Sequence, residues 1–136
     1  MFHPWGILRK LSHIRLSWAD LPPGILGYTN GVDEIVMDKR LLQVERRCTL
    51  THELVHIEWG HLRCQNEKIE RKVRAETSRR LVTLEQLLQH IPWARNRHEL
   101  ADDLWVTGHV LDDRIACLTK DEWTLINALE TQHGGQ

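Results

Sequence analysis

Cysteine is scarce in this chain, and its spacing excludes two common kinds of site. The three cysteines, Cys48, Cys64 and Cys117, are an odd number and form no CxxC pair. A small disulfide framework and a four-thiolate zinc site both need more thiols at regular spacings. Cysteines that form neither kind of site are typical of a protein in a reducing compartment.

Long apolar runs and an excess of one charge are also missing. No stretch approaches the roughly 18 apolar residues that span a bilayer, and the N-terminal residues lack a basic segment followed by an apolar one. The 18 basic residues nearly balance the 19 acidic ones, so no strong attraction to nucleic acid or to an anionic membrane is expected. These absences predict a cytoplasmic protein that does not enter a membrane and does not bind nucleic acid directly.

The first third of the chain carries the patterns of three short strands. Apolar side chains alternate or cluster as in strands at residues 13–18, 25–29 and 34–38. The Pro-Pro-Gly segment at 22–24 cannot continue a strand, and Asn30-Gly31 is a strong turn dipeptide. A small three-stranded antiparallel sheet is therefore predicted.

Helical spacing dominates the remainder. One helix is predicted from about 42 to 59, ending at Gly60, and a second from 67 to 89. Shorter helices are predicted at 97–105, 110–117 and 120–130, the last with a capping box formed by Thr119 and Glu122. Strands followed by helices predict an α+β domain.

Histidine, in contrast, is frequent, and two of the nine histidines belong to a metal-binding motif. The segment HELVH at 52–56 matches HExxH, and residues four apart lie one above the other on a helix, about 6 Å apart at Cα. His52 and His56 can therefore bind one ion. Glu53 projects about 100° around the helix, close enough to reach a water beside the metal, and is the predicted catalytic base.

A catalytic zinc site needs a third protein ligand and one position for water. Cys48 lies on the same helical stripe but about 12 Å along the axis from the second histidine, too far to share the ion. His61 is one position away from the third histidine of an HExxHxxGxxH pattern. Glu70 and Glu76 on the next helix are better placed, about 120° apart. We favour Glu76, because the loop before this helix uses up chain, and Glu70 and His61 stay open as alternatives.

These motifs resemble the ImmA/IrrE family of metallopeptidases, which occurs in bacteria, mobile elements and phages. The resemblance rests on TLTHELVH at 49–56, on the sheet predicted before it and on RAETS at 74–78, and covers roughly residues 14–118. The family carries a glutamate-alanine-asparagine signature whose glutamate completes the zinc site. This implies Zn²⁺ as cofactor and Glu76 as third ligand, although Thr77 and Ser78 replace the alanine and the asparagine.

The resemblance also implies an architecture and a partner. We expect a single zincin-like domain over residues 1–136, with a catalytic core at 1–92 and a helical C-terminal subdomain at 93–136. The implied activity is that of a zinc-dependent endopeptidase. Its expected partner is a specific protein substrate, such as a helix-turn-helix repressor or an antitoxin-like regulator encoded nearby.

Contacts with such a substrate can be assigned to particular residues. The strand at 34–38 is expected to form the sheet edge that binds an extended substrate through backbone hydrogen bonds. Tyr28, His61 and His109 are candidates for stabilising the tetrahedral oxyanion.

The C-terminal third supports a second interpretation. Residues 99–118 have the apolar spacing of a helix-turn-helix, so the alternative is a regulatory DNA- or protein-binding module with a non-catalytic zinc site. Asp112 and Asp113 argue against DNA binding, because they would face phosphates with only Arg114 as counter-charge. Glu53 favours the enzyme, since a structural zinc site does not need it.

Overall fold

A computed structural model describes residues 1–62 and 65–134, with side chains up to residue 129. Cys64 lies outside the described residues, whereas Cys48 and Cys117 are free thiols. Within the described part, three strands and seven helices confirm the predicted α+β class. In chain order they are α1 (Pro4–Lys10), β1 (Arg15–Ala19), β2 (Gly27–Thr29), β3 (Glu34–Asp38), α2 (Gln43–Glu58), α3 (Glu67–Leu81), α4 (Leu84–His90), α5 (Arg97–Asp103), α6 (Gly108–Ala116) and α7 (Lys120–Gly134).

The sheet is mixed, and its strand order is β1-β3-β2. β2 and β3 form an antiparallel hairpin with Tyr28 opposite Val36, whereas β1 runs parallel to β3 with Ser17 opposite Val36. The prediction of an antiparallel sheet is therefore wrong for one of its two pairings. After β1, two prolines without a backbone N–H and Gly24 at φ +86° turn the chain away from this strand. The chain returns as the β2–β3 hairpin, and β1 pairs with the side of β3 that β2 does not occupy.

β3 is the central strand, which corrects the expectation that residues 34–38 form a sheet edge. Ile35, Val36 and Met37 are all buried, and β3 hydrogen-bonds to a neighbour on each side. A strand paired on both sides has no free backbone groups for a substrate. The edges of the sheet are β1 and β2, and β2 is the edge strand that packs against α2.

Gly27 allows this edge strand to lie close to α2. A Cβ atom at Gly27 would stand 2.8 Å from Thr49 Cγ2 and 3.0 Å from the carbonyl oxygen of Val36. Both distances are shorter than ordinary contacts, so a larger residue would push β2 away from the helix. The close approach places β2 beside the face of α2 that carries His52.

Two apolar clusters hold α2 from different sides. The first packs Leu50 and Leu54 of α2 against Ile35 and Met37 of the sheet. The second joins Cys48 to buried residues of α3, α4, α5 and α6. Complete burial of a side chain such as Leu50 stabilises the fold by about 2 kcal/mol. Helices on both sides of residue 92 share the second cluster, and a division at residue 92 stays a prediction.

The helix predicted at 67–89 is interrupted, which corrects that assignment. α3 ends at Leu81 because Val82 is extended, with φ −133° and ψ 106°. Thr83 then starts α4 with a capping box: its hydroxyl accepts from the backbone N–H of Gln86, and the Gln86 side chain accepts from that of Thr83. Across the residues that the structure covers, no helix combines the length and the hydropathy that crossing a membrane requires.

Candidate metal centre

α2 presents His52 and His56 on one face, one helical turn apart. The centroids of their imidazole rings lie 4.9 Å apart. The helix starts with the side chain of Glu45 accepting a hydrogen bond from the backbone N–H of Leu42, and Gly60 at φ +74° follows its C-terminal end. Both ends of the helix are therefore fixed by local interactions.

The carboxylate of Glu70 reaches these two histidines from α3. Its Oε1 lies 3.1 Å from His56 Nε2, and its Oε2 lies 3.3 Å from His52 Nε2. Asn66 sets the start of α3, because its side chain accepts a hydrogen bond from the backbone N–H of Ile69. Glu70 therefore lies in the first turn of α3, where its carboxylate contacts both histidines of α2.

The three side chains form a group that could hold a metal ion. One ligand atom from each of His52, His56 and Glu70 can be chosen so that all lie within 4.8 Å of one another. The side chains are 24%, 9% and 25% exposed, so the group is sheltered but reachable from solvent. Two of the three predicted ligands, His52 and His56, belong to it.

Glu76, the third ligand favoured from the sequence, lies elsewhere. Its carboxylate accepts a hydrogen bond from Arg80 Nε at 2.8 Å and lies 3.4 Å from Arg79 Nη2, and Arg80 also contacts Glu58 at 2.6 Å. Six residues along an α-helix rotate a side chain by about 120°, so Glu70 and Glu76 cannot face the same histidines. The structure brings Glu70 to the group, and this replaces Glu76 as the candidate third ligand.

A signal in the sequence does distinguish the two glutamates. Asn66 is a favourable N-cap residue, and a helix starting after it puts Glu70 on the stripe of Val73 and Thr77, both of which are buried. Glu76, in contrast, stands four residues before Arg80, the spacing of an ion pair along a helix surface. The cap and the ion-pair spacing together favour Glu70.

Burial keeps the two histidines neutral near pH 7. It lowers the pKa of His52 to about 4, with the neighbouring His56 adding to the effect, and it also lowers the pKa of His56. The negative charge of Glu70 opposes the shift in both cases. A neutral imidazole keeps a nitrogen lone pair that can bind a metal ion.

Glu53 lies beside this group and is only 6% exposed. Burial, followed by the negative charge of Glu70, raises the pKa of Glu53 to about 8. Its carboxyl group therefore holds a proton at neutral pH when no cation is near, and a cation next to it would lower the pKa again. A group of this kind can both accept and release a proton near pH 7.

His61 contacts His56, one of the three possible ligands. Its Nδ1 lies 3.0 Å from Nδ1 of His56, on the side of the ring opposite to the nitrogen that faces Glu70. Gly31 fixes the position of this segment, because a Cβ there would collide with the carbonyl oxygen of His61. From the sequence, His61 was an alternative metal ligand or oxyanion stabiliser; an orienting contact with His56 is an arrangement that spacing alone does not reveal.

A cleft of about 180 Å³ opens over the group, between α2 and the edge strand β2. Tyr28 and His61, two of the three predicted oxyanion stabilisers, line this cleft together with the three possible ligands and Glu53. His109, the third, lines a neighbouring cavity instead. The cleft therefore combines possible metal ligands, an acid–base group and an edge strand.

Comparisons with known proteins add no assignment. No protein-family model matches the sequence, and no curated protein or solved structure matches it significantly. The likeness to the ImmA/IrrE family stays a resemblance carried by the motifs at 49–56 and 74–78. The chemistry of the site is therefore argued from its own geometry.

Proposed function

We propose that this protein is a zinc-dependent endopeptidase that cleaves a specific protein partner. The observation that carries the proposal is the convergence of His52, His56 and Glu70 beside the buried carboxyl group of Glu53, in a cleft open to solvent. Two histidines and one glutamate are a known ligand set of catalytic zinc, which keeps its fourth position open for water or substrate.

The donor atoms suit zinc, and their spacing allows one ion to be held. Ligand atoms about 2.0–2.1 Å from a tetrahedral zinc ion stand about 3.3 Å from one another. Oε2 of Glu70 lies 3.3 Å from His52 Nε2 and Oε1 lies 3.1 Å from His56 Nε2, and one ligand atom from each of the three side chains can be chosen so that all lie within 4.8 Å of one another. Imidazole nitrogens also favour zinc over calcium and magnesium, which prefer oxygen ligands.

Glu53 is the proposed general base and acid of the reaction. When bound, zinc supplies the Lewis-acid chemistry that activates water and polarises the scissile carbonyl. The carboxylate of Glu53 accepts a proton from the attacking water and delivers it to the departing amine. Burial, followed by the negative charge of Glu70, raises the pKa of Glu53 and supports this double role, because a carboxyl group with a raised pKa is a better base.

β2 offers an extended substrate a backbone template, in place of the strand at 34–38. It pairs with β3 on one side, and all three of its residues line the cleft. A substrate segment can add to such an edge through main-chain hydrogen bonds. Tyr28 is the proposed oxyanion stabiliser, since it lines the cleft and His61 already contacts His56.

The proposed substrate class comes from the resemblance to the ImmA/IrrE family. Edge-strand binding requires a segment that can become extended, such as a loop or linker in a folded protein. A helix-turn-helix repressor or an antitoxin-like regulator encoded nearby is the proposed partner. The chain would act on it as an endopeptidase.

A DNA-binding function has less support. α6 would be the recognition helix of the helix-turn-helix, and it carries Asp112 on its exposed side. Arg97, the nearest basic residue, is already bound to Asp112 at 2.6 Å. With Asp113 next to it, this surface would repel phosphates.

Cleavage of a neighbouring regulator by the purified, zinc-loaded chain tests the proposal. Wild type should produce defined fragments in mass spectra, and Glu53→Gln should bind zinc but cleave at least about 100-fold more slowly. Glu85→Gln, the same change at an exposed glutamate of α4, should keep full activity. Equal cleavage by wild type and Glu53→Gln would rule out the proposed role of Glu53.

A further inference from the structure

A second cavity adjoins the metal cleft. Its volume of about 510 Å³ is nearly three times the 180 Å³ of the cleft, and the two share Gly27, His52 and Glu53. We call it the apolar groove. Its mainly apolar walls are formed by Ile25, Leu26, Cys48, Thr49, Thr77 and Val110.

We propose that the apolar groove binds a large aliphatic or aromatic side chain of the substrate, next to the peptide bond that is cut. This inference rests on the proposed function and adds its substrate specificity. Because His52 and Glu53 border both cavities, a side chain in the groove belongs to a residue beside the scissile bond. The volume lies within the range of small-ligand pockets.

The loop before β2 supplies the first argument for an apolar occupant. Ile25 and Leu26 are consecutive large apolar residues that are 44% and 47% exposed. On the opposite wall, Val110 of α6 is only partly covered. A bound apolar side chain would remove these surfaces from water, which is the main driving force for such binding.

The charges at the rim supply the second argument. Arg74 is held by Glu67, with Nη2 2.7 Å from Oε1. Glu45 is held at the start of α2, where its carboxylate accepts a hydrogen bond from the backbone N–H of Leu42. Asp113 and His109 complete the titratable lining of the groove outside the residues shared with the cleft. Because Arg74 and Glu45 are engaged within the fold and the carboxylate of Asp113 would repel an acidic group, the groove favours an apolar substrate side chain over an acidic one.

Binding of small chelators tests the inference without requiring turnover. Acetohydroxamate, N-acetyl-leucine hydroxamate and N-acetyl-aspartate hydroxamate share one zinc-binding group and differ in side chain. Calorimetry on the zinc-loaded chain should show the leucine probe binding at least about tenfold more tightly than the aspartate probe. Leu26→Asp and Val110→Trp should abolish this preference without changing the affinity for acetohydroxamate.

Leu125→Asp is the matched control, because Leu125 is 50% exposed on α7 and Leu26 is 47% exposed. It should keep the leucine preference. Equal affinity of wild type for the leucine and aspartate probes, with acetohydroxamate still bound, would overturn the groove inference alone. Failure of acetohydroxamate to bind would overturn the open zinc centre, and the groove inference would fall with it. Two groove variants keep the test valid if one of them does not fold.

Discussion

His56 and His61 face each other through their Nδ1 atoms, which lie 3.0 Å apart. His56 directs its other nitrogen, Nε2, toward Glu70. A hydrogen bond between the two Nδ1 atoms requires that one carries the proton and the other accepts it. Contacts of this kind orient a metal-binding imidazole and tune its basicity, so His61 is a positioning residue for the centre.

Removal of this contact should weaken the metal site without removing a ligand. His61→Ala is expected to lower zinc affinity by about 10- to 100-fold, because the His56 ring loses its orienting partner. Competition with a chromophoric chelator at pH 7 measures the affinity. His13→Ala, a change at an exposed histidine, should leave it unchanged. An unaltered affinity in His61→Ala would show that the His56 ring is held by other contacts.

Substitutions at Gly31 and Gly24 form a matched pair that tests how closely Gly31 packs against His61. Both have positive φ, +77° and +86°, but a Cβ at Gly24 meets no atom within 4 Å, whereas one at Gly31 collides with the His61 backbone. Gly24→Ala should lower the free energy of unfolding by about 1 kcal/mol, and Gly31→Ala should lower it by more, because the backbone must also move. Urea unfolding measures both. Equal losses would contradict the close packing of Gly31 on His61.

The hydrogen bonds between Asp38 and Arg40 should make the stability of the fold depend on pH. Its carboxylate accepts hydrogen bonds from Arg40 Nε at 2.9 Å and Nη2 at 2.7 Å, and these hold the pKa of Asp38 at about 2. Because the folded pKa lies below the unfolded one, the stabilisation is present above about pH 4 and is lost as the pH falls through 2. Asp38→Asn should therefore unfold at a lower temperature than wild type at pH 7.

Thermal unfolding at pH 7, 4 and 2 measures this effect. The difference between wild type and Asp38→Asn should shrink toward pH 2. Asp20→Asn is the control, because Asp20 is an exposed carboxylate that contacts Lys39 at 3.3 Å and Arg40 at 4.0 Å, and exposed pairs of this kind add little stability. A constant difference between wild type and Asp38→Asn across this pH range would exclude the ionised carboxylate as its source.

Local signals in the sequence were sufficient for several elements. The apolar cluster at 34–38 matches β3, and the predicted capping box of Thr119 and Glu122 has both of its hydrogen bonds. These features depend on neighbours within a few residues. The same holds for the capping box at Thr83, a signal that was present in the sequence and that explains why the long predicted helix is divided.

Features that depend on contacts between distant parts of the chain could not be predicted from such local signals. The pairing of β1 with β3 depends on the path of the chain after Ala19, which alternation in three short segments does not encode. The choice between Glu70 and Glu76 depends on the rotation of α3 relative to α2. A difference of six residues turns the side chain by about 120°. The Asn66 cap and the spacing of Glu76 from Arg80 are local signals that favour Glu70, but they do not encode that rotation.

The zinc content of Glu70→Gln beside Glu76→Gln tests the central claim most directly. Both changes remove one carboxylate from the same helix, but only Glu70 contacts His52 and His56, whereas Glu76 is paired with Arg80. Metal analysis after dialysis should find one zinc per chain in wild type and in Glu76→Gln, and essentially none in Glu70→Gln. Zinc retained in Glu70→Gln and lost in Glu76→Gln, or no zinc in wild type, would contradict the account.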